Sequence, residues 1–324
     1  MSIRLGVIMD PIQLIDFKKD TSLWMLLEAQ ERRYSISYME PKDLFVQDGV
    51  PYGHMKKVKV YNDPKHWFDL SEDKTDRLDQ LQVIFMRKDP PFDAEYIFIT
   101  YILELAEAKG VTVINKPQSL RDANEKFFTQ WFPQCAAPTL ITREIRRLQT
   151  FLTKEEEIVV KPLDGMGGTS IFRIKQGDLN TNVILETITQ KEQRYIMAQK
   201  FIPEITQGGD KRIVLIDGEP IPMALARIPP KSDFRGNLVM GAKGIGVELT
   251  ERDRWLCNQI APTLCEKELL FVGVDVIGNF ITEINVTSPS CIQQLQAFCS
   301  VNIMSKFFDS VEKKLSAKKQ IKEN

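Results

Sequence analysis

Strand and helix patterns alternate along the first third of the chain and then stop alternating, and this break constrains the fold more than composition does. "IRLGVIM" is a buried-strand run. "DTSLWMLLEAQERR" opens on the capping residues Asp20, Thr21 and Ser22 and carries Leu23, Leu26 and Leu27 on one helical face. "YSISYM" and "LQVIFM" are further strands, "DAEYIFITYILELAEAKG" is a helix closed by Gly110, and the strand "VTVIN" follows. Such repetition predicts an open parallel sheet with ligands beyond the carboxyl ends of its strands. Two of those ends are polar, "MDPIQLIDFKKD" and "MRKDPPFD".

From about residue 120 the pattern changes. A helix, "SLRDANEKFFTQWF", leads to "PTLIT" and to a helix rich in Arg and Lys. "DKRIVLIDGEPIPMALARI" and "LLFVGVDVIGNFITEINV" then read as hairpins turning at Asp217-Gly218 and Gly278-Asn279. The second half is therefore expected to be α+β. The 324 residues suffice for roughly two domains, and neither an internal repeat nor a low-complexity linker divides them. A net charge of −1 argues against nucleic acid as the main partner, because phosphate neutralisation calls for a basic face.

The sequence holds no apolar run of about 18 residues, which argues against a membrane span. "MSIRLGVIMDP" turns straight into a strand without a signal-peptide cleavage site. Five cysteines without a C-x-x-C pair are expected to be reduced thiols of a cytoplasmic protein, and the two histidines, His54 and His66, give zinc poor support.

The stretch "VVKPLDGMGGTSIFRI", residues 159–174, looks like a phosphate loop but matches neither common template. No Lys-Ser/Thr pair follows the last glycine, and Gly165, Gly167 and Gly168 do not fit G-x-G-x-x-G. A glycine turn between two strands can instead fold over phosphates as a flap, its N–H groups free to donate. Lys161 on the preceding strand, and Lys126 in "NEKFF", read as coming from a helix, can reach the phosphates as point charges.

The last hairpin sets Asp275 and Glu283 in an almost unbroken apolar run, where an unpaired carboxylate is costly. A three-residue loop at 278–280 puts them opposite each other, with Asn285 on the face of Glu283. Opposed carboxylates about 5 Å apart then call for a cation between them, and an all-oxygen set suits Mg²⁺. A two-residue loop turns the two to opposite faces, and spacing alone leaves that alternative open. "YIMAQKFI" is a strand whose polar end can pair with an adenine edge or lie at a sheet edge. Arg212 and Arg227 flank one hairpin, and the long glycine-bearing "PPKSDFRGNLVMGAKGIGVE" with Arg235 is expected to be a lid.

Taken in order, "NEK", "KPLDGMGG", "GDKR", "LARIP", "FRGN", "VGVDVIG" and "TEINVTSP" resemble the bacterial type of glutathione synthetase, an ATP-grasp ligase family. The match runs from "MDP" through "MRKDPPFD" to about residue 311. Ser290 and Cys291 after "TSP", and Lys200 in the adenine-side strand, are the departures. The resemblance implies an N-terminal open parallel α/β domain followed by an ATP-grasp fold, with nucleotide between two β-sheets. Its expected units are 1–122, a small subdomain with the glycine flap at 123–202, and a subdomain with lid and metal site at 203–324.

By the same resemblance, Lys126, Lys161, Gly165, Gly167 and Gly168 meet the phosphates. Gln199, Lys200, Phe201 and Ile202 border adenine, and Asp210 holds the ribose. Asp275, Glu283 and Asn285 hold two Mg²⁺, with Mn²⁺ as a substitute, and Arg212, Arg227 and Arg235 face the γ-phosphoryl group and the acyl phosphate. Arg87, Lys88, Ser288 and Ser290 are the expected substrate contacts. The implied reaction joins γ-glutamylcysteine to glycine at the expense of ATP in a homodimer or homotetramer. Another carboxylate–amine ligase of the fold is one alternative, and a non-catalytic ATP-binding module is another. The N-terminal substrate blocks speak against the first, and the intact metal and arginine set against the second.

Overall fold

The computed structural model describes residues 2–165, 167–230, 232–236 and 241–323. Seven strands make the first sheet: β1 (Arg4–Met9), β2 (Ser35–Met39), β3 (Leu44–Gln47), β4 (Val50–Val60), β5 (Phe68–Arg77), β6 (Val83–Arg87) and β7 (Thr112–Ile114). The order is β3-β4-β2-β1-β6-β7, with β5 paired to β4. The pairs β2–β1, β1–β6 and β6–β7 are parallel, as the strand–helix alternation predicts. β3, β4 and β5 add an antiparallel meander that the alternation did not announce. β5 is "FDLSEDKTDR", exposed along most of its length, and an edge strand with so little to bury carries no apolar period.

The sheet order reverses at β1, which lies between β2 and β6. Helix Thr21–Glu31 follows β1 and helix Ala94–Ala108 follows β6, so the carboxyl ends of these two strands open on a crevice. Met9 and Arg87 are register partners at that end. Leu23 and Leu26 seat the first helix in a core shared with Phe307, Phe308 and Val311 of the C-terminal helix Ile303–Glu323.

The second sheet has four antiparallel strands: β8 (Thr139–Thr142), β9 (Glu157–Pro162), β10 (Phe172–Lys175) and β11 (Ile196–Lys200), in the order β10-β9-β11-β8. It has its own core, in which Ile158, Val160 and Ile196 meet Leu148 and Leu185 of the two covering helices. β11 is an interior strand, bonded to both β9 and β8, and not an edge.

The third sheet comprises β12 (Asp210–Ile216), β13 (Glu219–Pro220), β14 (Met223–Ile228), β15 (Lys243–Glu248), β16 (Phe271–Ile277) and β17 (Phe280–Asn285). Its apolar residues join those of the first sheet in continuous clusters. Asp217 and Gly218 both have positive φ, 52° and 80°, as a type I′ hairpin turn requires. A Cβ on Gly218 would also stand 2.6 Å from Cys265 Sγ.

Candidate active site

A cleft of about 610 Å³ runs between the second and third sheets and on to the crevice of the first. Its floor is the β16–β17 hairpin. The loop there has two residues, since Ile277 pairs with Phe280, in contrast to the three-residue loop considered from spacing. Asp275 nevertheless pairs with Glu283, because the register slips by one residue between Asp275 and Val276. Thr282 is the extra residue of this β-bulge. Its Oγ1 donates to the Asp275 carbonyl at 3.2 Å, and its own carbonyl accepts from Lys161 Nζ at 3.3 Å. One inserted residue thus turns Glu283 to the face of Asp275 and anchors a lysine.

Lys126 approaches Glu283 from the other side, and not from within a helix. The helix Pro117–Asp122 stops short, and Lys126 caps the 3₁₀ turn Phe127–Trp131. Asn124 makes this break: its Oδ1 accepts from the N–H groups of Lys126 and Phe127 at 3.1 and 2.9 Å, and its Nδ2 donates to the Leu163 carbonyl at 2.9 Å. Lys126 Nζ is buried against Glu125, donates to the Gly165 carbonyl at 2.7 Å and lies 3.5 Å from Glu283. Burial works against its charge, but Glu283 and Glu125 outweigh it and raise its pKa. Lys161, 3.9 Å from Glu283, is pushed down by burial that Glu283 offsets only in part. Glu125 is raised by burial and then by Glu283.

The arginines face the second carboxylate. Arg212 forks onto Asp275 with Nε–Oδ1 2.5 Å and Nη2–Oδ2 2.9 Å, and Arg227 Nη2 lies 3.0 Å from Asp275 and 2.5 Å from Asp210. Burial would raise the Asp275 carboxyl, yet Arg212 and Arg227 hold it well below the usual carboxylate range. Asp210 goes the other way: burial raises it to about 6, and Arg227 only partly opposes this. Its Oδ1 is buried and has no hydrogen-bond partner among the described residues.

Gly167 and Gly168 of the turn have φ of 64° and 82°, conformations that exclude most side chains. A Cβ on Gly165 would stand 2.7 Å from Pro162 Cγ. Arg235 is held by Asp233, Nη2–Oδ2 2.6 Å, and its Nη1 donates to the Gly168 carbonyl at 3.1 Å. The rest of the expected lid is only partly in view, since residues 231 and 237–240 lie outside the described residues. At the end of β11, Gln199 Nε2 donates to Thr139 Oγ1 at 3.0 Å, Lys200 pairs with Glu155 at 3.4 Å, and Phe201 lies under the Arg173 guanidinium at 3.8 Å. Ile202 is buried in the same wall.

At the far end Arg87, buried, gives Nε to Ser22 Oγ at 3.1 Å and Nη2 to the Pro289 carbonyl at 3.0 Å. Ser288 and Ser290 line this end too, Ser288 Oγ bonding Asp89. Lys88 is turned to Asp10 at 3.0 Å. Glu125, Thr21 and Asp20 also border the cleft and were not singled out as site residues from sequence. Glu125 stands beside Lys126 in "NEK" with no sequence signal of its own, and Asp20 and Thr21 read from sequence as ordinary helix-capping residues.

Among the described residues no group of three or more His, Cys, Asp or Glu side chains forms a ready metal site. The oxygens of Asp275, Glu283 and Asn285 are the hard donors that a divalent cation such as Mg²⁺ takes, and they face the cleft, so the residues fit a cation completed by phosphate oxygens.

Known proteins resemble this chain along nearly its whole length. Residues 3–121 match the family model "Prokaryotic glutathione synthetase, N-terminal domain", and residues 125–300 match "Prokaryotic glutathione synthetase, ATP-grasp domain". The glutathione synthetase of Shewanella oneidensis is 54% identical over 313 residues, covering 97% of this chain and 99% of that protein. That of Pseudomonas aeruginosa is 52% identical over 318 residues, covering 98% and 100%. Among solved structures, the D-cycloserine synthetase DcsG superposes with a TM-score of 0.69 at 13% identity over 96% of this chain and 99% of its own, a likeness of fold.

Proposed function

The chain belongs to the prokaryotic glutathione synthetase family, and from that premise we propose how its own residues carry the ligation of γ-glutamylcysteine to glycine at the expense of ATP. The observation that carries the reading is full-length similarity, spanning both the N-terminal and the ATP-grasp part, to relatives named for this reaction. Residues 1–122, 123–202 and 203–324 serve as substrate unit, flap unit and metal-bearing unit.

ATP lies between the second and third sheets, with adenine against residues 199–202 and ribose on Asp210. The case for Asp210 is its unpartnered buried Oδ1, an acceptor suited to a hydroxyl. Lys126 and Lys161 hold the phosphates from below, and the N–H groups of Gly165, Gly167 and Gly168 cover them. Asp275, Glu283 and Asn285 would hold two Mg²⁺ ions, or Mn²⁺, whose chemistry here is neutralisation of the phosphate charge.

No protein nucleophile is needed. The cysteinyl carboxylate attacks the γ-phosphorus in line and ADP leaves, with Arg212 and Arg227 facing the transferring group. The glycine amine then attacks the carbonyl carbon of the acyl phosphate, phosphate departs and the amine loses a proton. Arg212, Arg227 and Arg235 are the donors to the tetrahedral oxyanion. Arg235 acts from the loop over the cleft, where exclusion of water protects the acyl phosphate. Arg87, Ser288 and Ser290 contact the dipeptide, as does Lys88 once it leaves Asp10. The protein works in the cytoplasm as a homodimer or homotetramer.

The test is ADP release with γ-glutamylcysteine and glycine each omitted in turn. Release only when both are present is expected. Equal turnover with glycine replaced by a protein substrate would reject the reading.

A further inference from the structure

Glu125 has no part in the reaction proposed above, yet it is built into the phosphate end. Its backbone carbonyl accepts from Ile284 N at 2.8 Å, which fastens it beside β17 next to Glu283. Its carboxylate borders the cleft and accepts from Lys126 Nζ. Neighbouring residues on a helix do not face each other. Glu125 and Lys126 meet because the chain leaves its helix at Asp122 and turns at Asn124.

Lys126 therefore addresses two carboxylates: its Nζ bonds Glu125 and lies 3.5 Å from Glu283 Oε1. Burial works against its charge, and Glu283 and Glu125 together sustain it. Lys161 stands farther from the same Glu283 oxygen, at 3.9 Å, and also donates to the Thr282 carbonyl. The oxygen that a divalent cation would use is thus already approached by ammonium groups, of which Lys126 is the nearer. An ammonium and a cation on one carboxylate repel each other, so a second counter-charge for Lys126 favours the cation.

We propose that Glu125 is a positioning residue that keeps Lys126 from competing with the cation for Glu283. The inference rests on the function proposed above, in which Glu283 holds Mg²⁺, and adds how an ammonium and a cation share one carboxylate. When Glu283 turns to the cation, Lys126 keeps Glu125 as its counter-charge and the Gly165 carbonyl, at 2.7 Å, as a second acceptor. It stays under the glycine turn that covers the phosphates. A lysine with Glu283 as its only carboxylate would have to release it or exclude the cation.

The experiment titrates Mg²⁺ in the full-length protein, with two readouts: ADP binding by calorimetry, and ADP release in the complete reaction. Glu125→Gln keeps the size of the side chain and an acceptor for Lys126 but removes the charge. It should raise the half-saturating Mg²⁺ about tenfold in both readouts, the worth of one charge-assisted hydrogen bond. The lost turnover should return as Mg²⁺ is raised. Adding Lys126→Met removes the competitor, so the double variant should bind ADP with a half-saturating Mg²⁺ within about twofold of wild type.

An unchanged Mg²⁺ requirement in Glu125→Gln would overturn the inference. So would a rise that persists in the double variant, since Glu125 would then bind the cation itself. A turnover that no Mg²⁺ restores, with a lowered melting temperature, would overturn it too and leave Glu125 a structural role only. If the wild-type enzyme released no ADP with γ-glutamylcysteine and glycine, the proposed function itself would fall. Normal wild-type turnover with an unmoved Mg²⁺ requirement in Glu125→Gln would sink this inference alone.

Discussion

The two ends of the cleft solve opposite problems. At the phosphate end almost every charge already touches a counter-charge: Asp275 holds Arg212 and Arg227, and Glu283 faces Lys126 and Lys161. At the β1–β6 end the buried Thr21 hydroxyl has no hydrogen-bond partner among the described residues. With ligands bound as proposed, the first end would trade partners and the second would gain one. An unpaired carboxylate costs several kcal/mol to bury and an unpaired hydroxyl far less, so Asp275 and Glu283 are paired while the Thr21 hydroxyl can be left alone.

If that contrast holds, the phosphate end should be the harder to perturb quietly. Glu283→Gln is expected to lower turnover about a thousandfold, the upper end for one lost electrostatic contact, with the circular dichroism spectrum unchanged. A near-wild-type rate at saturating Mg²⁺ would show that Glu283 holds no cation.

Asp275→Ala should act on stability as well. It leaves Arg212 buried without its carboxylate, while Arg227 keeps Asp210, and breaking such a buried pair costs about 3–5 kcal/mol. Thr21→Val, by contrast, should cost under about 1 kcal/mol, because its hydroxyl is already unpaired. Urea unfolding of both variants compares the two ends directly, and equal losses would erase the distinction.

Arg235→Ala addresses the span between the ends. Arg235 links Asp233 to the Gly168 carbonyl, so it ties one loop to the other. Its loss should raise ATP hydrolysed per glutathione formed about twofold or more as water reaches the acyl phosphate, with a smaller change in nucleotide affinity. Parallel assays of ADP and glutathione read the ratio, and a one-to-one yield would remove Arg235 from any shielding role.

The sequence made the two ends unequally visible. Period-2 runs and β-branched residues exposed the hairpins and the parallel strands, and the carboxylates stood out because charges inside apolar runs need a reason. The route by which Asp275 meets Glu283 was not legible. It depends on a bulge at Thr282, and a bulge is set by what packs on both faces of the hairpin. The break that frees Lys126 was hidden for a related reason, because the Asn124 side chain is held by the distant Leu163 carbonyl, a contact that the local sequence does not display. Thr21 reads from sequence as part of a helix cap; the cap is Asp20, and the burial of the Thr21 hydroxyl without a partner among the described residues depends on packing that the sequence does not display. β5 was missed because polar edge strands have no period to read.

The smallest predicted effect tests the one place where the phosphate end behaves like the other. Asp210 Oδ1 is also buried without a donor among the described residues, and burial raises its pKa to about 6, with Arg227 opposing and Asp275 and Glu283 reinforcing the rise. The sign follows from linkage. Below about 4 the carboxyl is protonated in both folded and unfolded chains; between that value and about 6 the unfolded chain gives up its proton and the folded one keeps it. The folded state therefore loses stability as pH rises through this window and then levels off. Asp210→Asn, which cannot titrate, should flatten that slope without steepening it elsewhere. Saturating nucleotide should flatten it in the wild-type protein too, because a hydroxyl donor to Oδ1 favours the carboxylate and returns the pKa towards its usual range. Melting temperatures taken from pH 4.5 to 7 with and without nucleotide read both effects, to about 1–3 °C. Identical slopes in wild type and Asp210→Asn would mean that Asp210 is ionised throughout, and the phosphate end would then hold no unpartnered group of the kind found at Thr21.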